Sequence, residues 1–435
     1  MTVSDGVNRS RPGYTGIVRQ WTGVRFTALT LAILVGGLPG TAATPAQQTR
    51  VALVGGTIYT SPTAPPIPDG VVVIENGRIS GVGQRDAMRV PDGIVTLECS
   101  GSTITAGFWN SHVHFFENQW NDAANIPAPR LEDQLRAMLM RYGFTSVFDL
   151  SSPWENTRRI RARIESGEVA GPRVRSTGAA IVGDGWMPPD DALVALGVML
   201  FRAPVVGDAA GARAAARALL DAGTDGIKVF PVQPSAPFAA LTDDTIRAAV
   251  DEAHRHDRPA FAHPTNAEGL LAAVRAGVDV VAHTTPQFGP WDEAVLAAIE
   301  GKDVTLIPTL KVWQHHLRDE PAAVRARSAS TSTAQLRAWR GVGGAVVFGT
   351  DAGGMNDYDP SDEYALMAEA GMTFREILAA LTTTPAAIFG EAAPTGRIAP
   401  GQPADLVVLD GDPSQNVRAL ADVRYTLRDG AVVYP

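Results

Sequence analysis

Residues Gly107–Phe115 read GFWNSHVHF, and an apolar run, Ser102–Phe108 (STITAGF), leads into them. On an extended strand residues i and i+2 point to the same side. His112 and His114 therefore face one point while Val113 turns away. Two convergent neutral imidazoles are half of a site for a borderline divalent metal such as zinc. They also describe a pair of polar residues closing a buried strand, and HxH alone carries little information. What decides is how often this pattern, an apolar strand ending in a chemically active side chain, returns along the chain.

Apolar strand candidates return seven times, four of them carrying such a side chain. Further strand candidates are TSVFDL (145–150), PRVRSTG (172–178), DGIKVF (225–230), PAFAH (259–263), VDVVAH (278–283), VTLIPT (304–309) and AVVFGTD (345–351). Between them lie Ala/Leu/Arg-rich segments at helical spacing, such as ARAAARALLDAG (212–223) and AEGLLAAVRAG (267–277). Several end in Gly just before the next strand, as a helix C-terminus does. Strand–helix alternation repeated about eight times means a parallel sheet of the α/β class, most simply a closed (β/α)₈ TIM barrel over 106–393. The two ends are β-rich instead: VALVGGTIYT (51–60), VVVIENGRISGVG (71–83) and IVTLECSG (94–101) before the barrel, ADLVVLDGD (404–412) and VRYTLRDGAVVYP (423–435) after it. Short β-branched runs punctuated by Asn-Gly, Asp-Gly and Pro read as hairpins. They are expected to form one small β-sandwich domain from residues 47–105 and 394–435.

With 435 residues the chain exceeds what one core usually supports, in keeping with a large and a small domain. The net charge is −9 and no Lys/Arg block appears, so nucleic acid is not an expected partner. The single cysteine, Cys99, excludes an intrachain disulfide and any zinc site built on several thiolates. Ahead of the first hairpin, Arg19 and Arg25 precede Phe26–Leu38 (FTALTLAILVGGL), followed by small residues through Ala46. That is a signal-peptide pattern over 1–46, and it predicts an exported protein, periplasmic or secreted, with no stable membrane association after cleavage. An uncleaved anchor is the alternative.

Barrel enzymes place their chemistry at the C-terminal ends of the strands. His112 and His114 follow the first strand, Lys228 lies in the fourth, His263 and His283 close the fifth and sixth, and Asp351 closes the eighth. Each has a bland reading: a core histidine, a snorkelling lysine, an aspartate N-cap. One barrel mouth, however, collects them all. The remaining histidines serve as a control: His254 and His256 sit in a charged helix, while His315 and His316 follow the seventh strand in what reads as a solvated loop.

At this point the chain resembles the metal-dependent amidohydrolase superfamily, and within it the imidazolonepropionase-like and Xaa-Pro dipeptidase-like branch. The likeness rests on GFWNSHVHF, GFTSVFDL, DGIKVF, FAH, VAHT, GTDAG, TTTPAAIFG and GRIAPGQPADLVVLD. It implies that His112, His114 and Asp351 hold one divalent metal and that His263 and His283 hold a second. A carbamate formed by CO₂ on Lys228 would bridge the two. Zinc is favoured by the histidine-rich ligand set. It further implies a catalytic group of Asp351, Lys228 and His283, with attack by a metal-bridging hydroxide and Asp351 shuttling the proton to the leaving nitrogen. The expected substrate is a small-molecule amide: dipeptide-like, N-acyl amino acid or cyclic. A lactone or ester hydrolase, or a non-catalytic periplasmic binding protein on the same barrel, are the alternatives. The loop STGAAIVGDGWMPPDD (176–191) departs from the family's glycine-rich loop, carrying Asp184 and Trp186 where a histidine is common. Trp186 and Arg202 are the substrate-binding candidates: a ring to pack against and a guanidinium for a carboxylate. A homo-oligomer is left open.

Overall fold

The computed structural model describes residues 50–184, 201–232, 240–389 and 396–435. Trp186 lies outside them. In chain order the strands are β1 (Arg50–Ile58), β2 (Ile67–Glu75), β3 (Arg78–Gln84), β4 (Val95–Glu98) and β5 (Ser102–Ala106), then β6 (Phe108–Val113), β7 (Phe144–Asp149) and β8 (Arg173–Ser176). These are followed by β9 (Ile227–Val229), β10 (Ala260–Ala262), β11 (Val280–Ala282), β12 (Thr305–Ile307) and β13 (Ala345–Val346), and by β14 (Leu406–Asp410), β15 (Val423–Arg428) and β16 (Ala431–Tyr434).

The middle of the chain alternates strand and helix, as expected. Its eight strands, β6 to β13, pair in parallel and in sequence order, but in two arcs: β6–β7–β8 and β9–β10–β11–β12–β13. A continuous closed ladder, the expected barrel, is not what the pairing shows. At the two seams it narrows to isolated bridges, Val113 with Ala352 and Ile181 with Val229. Backbone hydrogen bonds cross there all the same: Ser111 N to Phe348 O (2.8 Å), Asp351 N to His112 O (2.9 Å) and His114 N to Ala352 O (2.8 Å) at one seam, Ile181 N to Lys228 O (2.8 Å) and Phe230 N to Ile181 O (3.1 Å) at the other. The reason for the narrowing is local: β13 spans two residues, and the chain leaves extended geometry at Asp351, whose φ is +64°.

Within the arcs alternate residues face in and out. Ile227 and Val229 of β9 join the apolar layer shared with the helices, and Lys228 between them points the other way. Inside, an aromatic plug fills the N-terminal half: Trp109, Phe148 and Phe261 pack with Phe389, with Phe148–Phe261 ring centroids 4.6 Å apart. Several of the helices start on side-chain caps, Thr242, Asn266 and Asp292 each accepting from a backbone N–H in the first turn. The helix Ala267–Ala276 ends on Gly277 in the left-handed conformation, the stop its sequence announces.

The two ends meet in one mixed sheet, ordered β16–β15–β14–β5–β1–β2–β3, with β4 also paired to β1. The hairpin turns fall where Asn-Gly and Asp-Gly placed them. Asn76 and Gly77 have φ of 53° and 76°, Asp429 and Gly430 of 47° and 75°, the doubly positive geometry of a type I′ turn. The pairing links all eight strands of these segments in one sheet, which does not by itself set out the two layers of the expected β-sandwich. β1 holds it together by running parallel to both β4 and β5 at different points along its length. Its core is aliphatic: Leu53, Val72, Ile74, Ile104, Leu406, Val408 and Leu427 are fully buried. Among the described residues no helix is long and apolar enough to cross a membrane.

Candidate metal centre

Strand β6 carries His112 and His114 into the interior just above the aromatic plug. Their Nε2 atoms lie 3.2 Å apart. Asp351 Oδ1 stands 3.3 Å from His112 Nε2 and 2.7 Å from His114 Nε2, and Lys228 Nζ is 3.3 Å from His112 Nε2. The His283 ring packs 4.6 Å from that of His112 and 4.4 Å from that of His263. All six expected ligands are thus gathered at the C-terminal ends of the arcs. His112, Lys228, His283 and Asp351 are buried, and His263 is partly exposed.

Three nitrogens and a carboxylate oxygen aimed at one point make a poor hydrogen-bond network. They suit a cation: two donors each about 2.0–2.2 Å from one ion sit roughly 3–3.5 Å apart. His112, His114 and Asp351 form the tightest such set, their ligand atoms within 4.8 Å of one another. Burial pushes the His112 and His263 imidazoles well below the usual histidine range and His283 down to about 3, so all three are neutral, as ligands must be. Burial raises the Asp351 carboxyl, but the imidazoles of His112, His114 and His283 outweigh it and hold the group well below the carboxylate range. Burial likewise lowers Lys228, to about 8.

The backbone is bent to make this cluster. His283 (φ 72°), Asp351 (φ 64°) and Thr309 (φ 43°) all adopt the left-handed conformation, which costs a non-glycine residue about 1–3 kcal/mol and persists only where surroundings impose it. Thr309 Oγ1 sits 2.6 Å from His283 Nδ1 and fixes the ring so that Nε2 faces inward. Asn110 ties β6 to the eighth-strand end, donating to Thr350 Oγ1 (2.8 Å) and accepting from Thr350 N (3.1 Å). Gly349 lies so close to His112 that a Cβ there would come within 2.8 Å of the histidine's own Cβ. Asp149, buried at the end of β7, accepts from the hydroxyls of Ser152, Thr157 (3.1 Å) and Ser176 (2.7 Å), and Ser152 Oγ in turn accepts from Phe115 N (2.8 Å) beside His114.

Sequence reading missed Asn110, Asp149, Thr309 and Thr350. Its only signal for them was a polar residue inside or closing an apolar strand. Among the control histidines, His254 and His256 are exposed as expected. His316 is not simply a loop residue: it lies on the helix Leu310–His316 and lines a cavity of about 350 Å³ with His263, His283 and Asp351. Arg202 is exposed and is not among the described residues lining that cavity.

A buried ring of imidazoles and one carboxylate at the C-terminal ends of parallel strands is the signature of a metal-assisted hydrolase. The model of the amidohydrolase family matches residues 103–435, and the chain belongs to that family, whose members are metal-dependent hydrolases of C–N bonds. Its relatives include ochratoxinase from Aspergillus niger, 26% identical over 355 residues, which are 73% of this chain and 72% of that protein. A crystal structure of a prolidase complexed with N-methylphosphonate-L-proline matches with a TM-score of 0.70 and 27% identity, covering 88% of this chain and 99% of that one. A Xaa-Pro dipeptidase with methionine bound in its active site shares the fold, with a TM-score of 0.74 and 22% identity over 88% and 99% of the two chains.

Proposed function

We propose that this chain is an exported hydrolase that cleaves a small-molecule amide, dipeptide-like or N-acyl amino acid in type, using two divalent cations held by its six gathered side chains. The observation that carries the reading is the convergence of His112, His114 and Asp351 within 4.8 Å, with Lys228 and His283 against them, beside an open cavity. His112, His114 and Asp351 would hold one cation, His263 and His283 the other. Bound there, divalent cations acidify water and polarise a carbonyl.

Lys228 is the bridge between the two sets. An ammonium repels cations, but burial lowers this one to about 8, so a neutral amine is within reach near neutral pH. Its nitrogen can form a bond to CO₂ and release a proton, leaving a carbamate whose single negative charge is shared by two oxygens. Asp351 is ionised and makes no direct ion pair with Lys or Arg among the described residues, so it can take the proton of the attacking water and return it to the leaving nitrogen. Export rests on the basic, apolar and small-residue pattern of 1–46; the N-terminus of the protein recovered from outside the cytoplasm tests it.

The decisive experiment is metal analysis combined with amide hydrolysis. Chelation should abolish turnover, and a divalent ion should restore it, with about two ions per chain. Lys228→Ala should lower metal content and activity together, and added short carboxylates should partly recover both. Full metal and full activity in Lys228→Ala would reject the bridge.

A further inference from the structure

Lys311 and Glu363 are an amine and a carboxyl, both buried and neither among the six gathered ligands. The ion-pair partner of Lys311 is Asp357, not Glu363. Instead, each of the two grips the backbone of the segment that bears the other. Lys311 Nζ donates to Asp359 O (2.5 Å) and lies 2.9 Å from the Asp357 carboxylate, while Glu363 accepts from Leu310 N (2.9 Å) and Lys311 N (2.7 Å). We propose that they are positioning residues, a crossed clamp that fixes the spacing of His283 and Asp351 and so of the two cation sites. The inference rests on the two-cation reading and deepens it by naming what keeps the sites in register.

Three observations support it. First, the clamp closes on the supports of ligands from different strands. The turn it grips at Leu310 follows Thr309, whose Oγ1 sits 2.6 Å from His283 Nδ1. The segment it grips at 357–359 follows the turn 351–355, closed by bonds from Gly354 N (2.9 Å) and Met355 N (3.2 Å) to Asp351 O. Second, that turn has no slack against a neighbouring ligand. Ala352 O accepts from His114 N (2.8 Å), and a Cβ on Gly353, whose φ is +94°, would collide with His114 O. A shift of 357–359 is therefore passed to Asp351 and His114. Third, the middle of the segment is held from the other side. The Tyr358 hydroxyl donates to Glu117 Oε2 (2.7 Å) and accepts from Gln119 Nε2 (2.7 Å), on the loop just past His114. A buried amine or carboxyl cannot release its partners without being left unpaired and out of water. The seventh- and eighth-strand loops accordingly move together or not at all, the part that supporting bonds play behind metal ligands.

The test titrates zinc into the metal-free full chain by calorimetry, with folding checked by circular dichroism at the same temperature. The parent should take up two ions. Lys311→Met and Glu363→Gln should each weaken uptake by about 10- to 100-fold, the usual cost of losing a support behind a metal ligand. Because both grip one joint, the double variant should lose little more than the worse single one. In amide hydrolysis by zinc-loaded protein, kcat should fall by more than KM rises. Leu406→Ala, in the eight-stranded sheet, is the control: it should lose stability and keep its zinc affinity. Glu363→Gln retains the side chain's size and one acceptor, so it tests the clamp even if Lys311→Met fails to fold. Zinc affinities within about twofold of the parent in the folded variants would overturn the clamp, and so would additive losses in the double variant. If the parent takes up fewer than two ions, the two-cation reading fails and the clamp with it. If it takes up two but cleaves no amide, the substrate assignment falls while the zinc affinities still decide the clamp.

Discussion

The eight-stranded sheet and the mouth of the two strand arcs are both buried, and burial means opposite things in them. In the sheet, Leu53, Ile104, Leu406 and Val408 leave water for one another, and each contributes about 1.5–3 kcal/mol. At the mouth, His112, Lys228, His283 and Asp351 leave water for a cluster of like-minded donors, which costs free energy unless something binds there. The left-handed backbone at His283 and Asp351 adds to that cost. One region stores stability, and the other consumes it to hold groups in a reactive arrangement.

Asp351→Asn is the hardest test of this contrast. It keeps size and one possible oxygen ligand but cannot accept a proton, so kcat should fall at least about 10²-fold. Unchanged turnover across a full pH profile would end the proton-shuttle role. Leu406→Ala is the mirror experiment. A fully buried leucine cut back in the sheet should cost about 2–5 kcal/mol in denaturant unfolding, while kcat per folded molecule stays within about twofold. A matching loss of kcat would mean that the sheet shapes the mouth.

This division also explains what the sequence revealed. His112, His263, His283 and Asp351 were legible because each stands where an apolar strand stops, and Lys228 because a lysine inside IKV has no apolar reason to be there. The Asn-Gly and Asp-Gly turns were legible because the required φ values belong to those residues. The supports were not. Thr309 acquires its role only through His283, and Asn110 only through Thr350, 240 residues away. Such partners are set by strand order, which periodicity does not encode. The pairing within the terminal β segments was hidden for the same reason, since the parallel contacts of β1 with β4 and β5 leave no local trace.

Glu363 sharpens the comparison at the edge of the mouth. Its carboxylate accepts from Leu310 N (2.9 Å) and Lys311 N (2.7 Å), which pins the turn that holds Thr309 behind His283. Burial pushes Glu363 up to about 7, against 4.5 for an ordinary glutamate. Between those values the folded chain binds more protons than the unfolded one, so stability from this group is full below about 4.5 and declines as pH rises to about 7, by up to about 3 kcal/mol. Glu363→Gln should flatten that decline in unfolding measurements from pH 5 to 8. Parallel pH curves for parent and variant would show that the group does not titrate there.

The smallest effect expected concerns Arg202. As a carboxylate clamp for an amino-acid-like substrate half, a partly buried guanidinium would impose a strong preference for a free acid over its amide. The structure leaves Arg202 exposed, where water and salt screen the pairing. The preference should therefore be no more than about fivefold, and it should weaken further as ionic strength rises. Comparing kcat/KM for a free-acid substrate and its amide, with and without Arg202→Met, at low and high salt, isolates the contribution. A ratio that is unaffected by both the substitution and salt removes Arg202 from recognition. A preference far above fivefold would mean that the segment bearing Arg202 closes over the substrate and excludes water, which would move it from the solvated surface to the mouth.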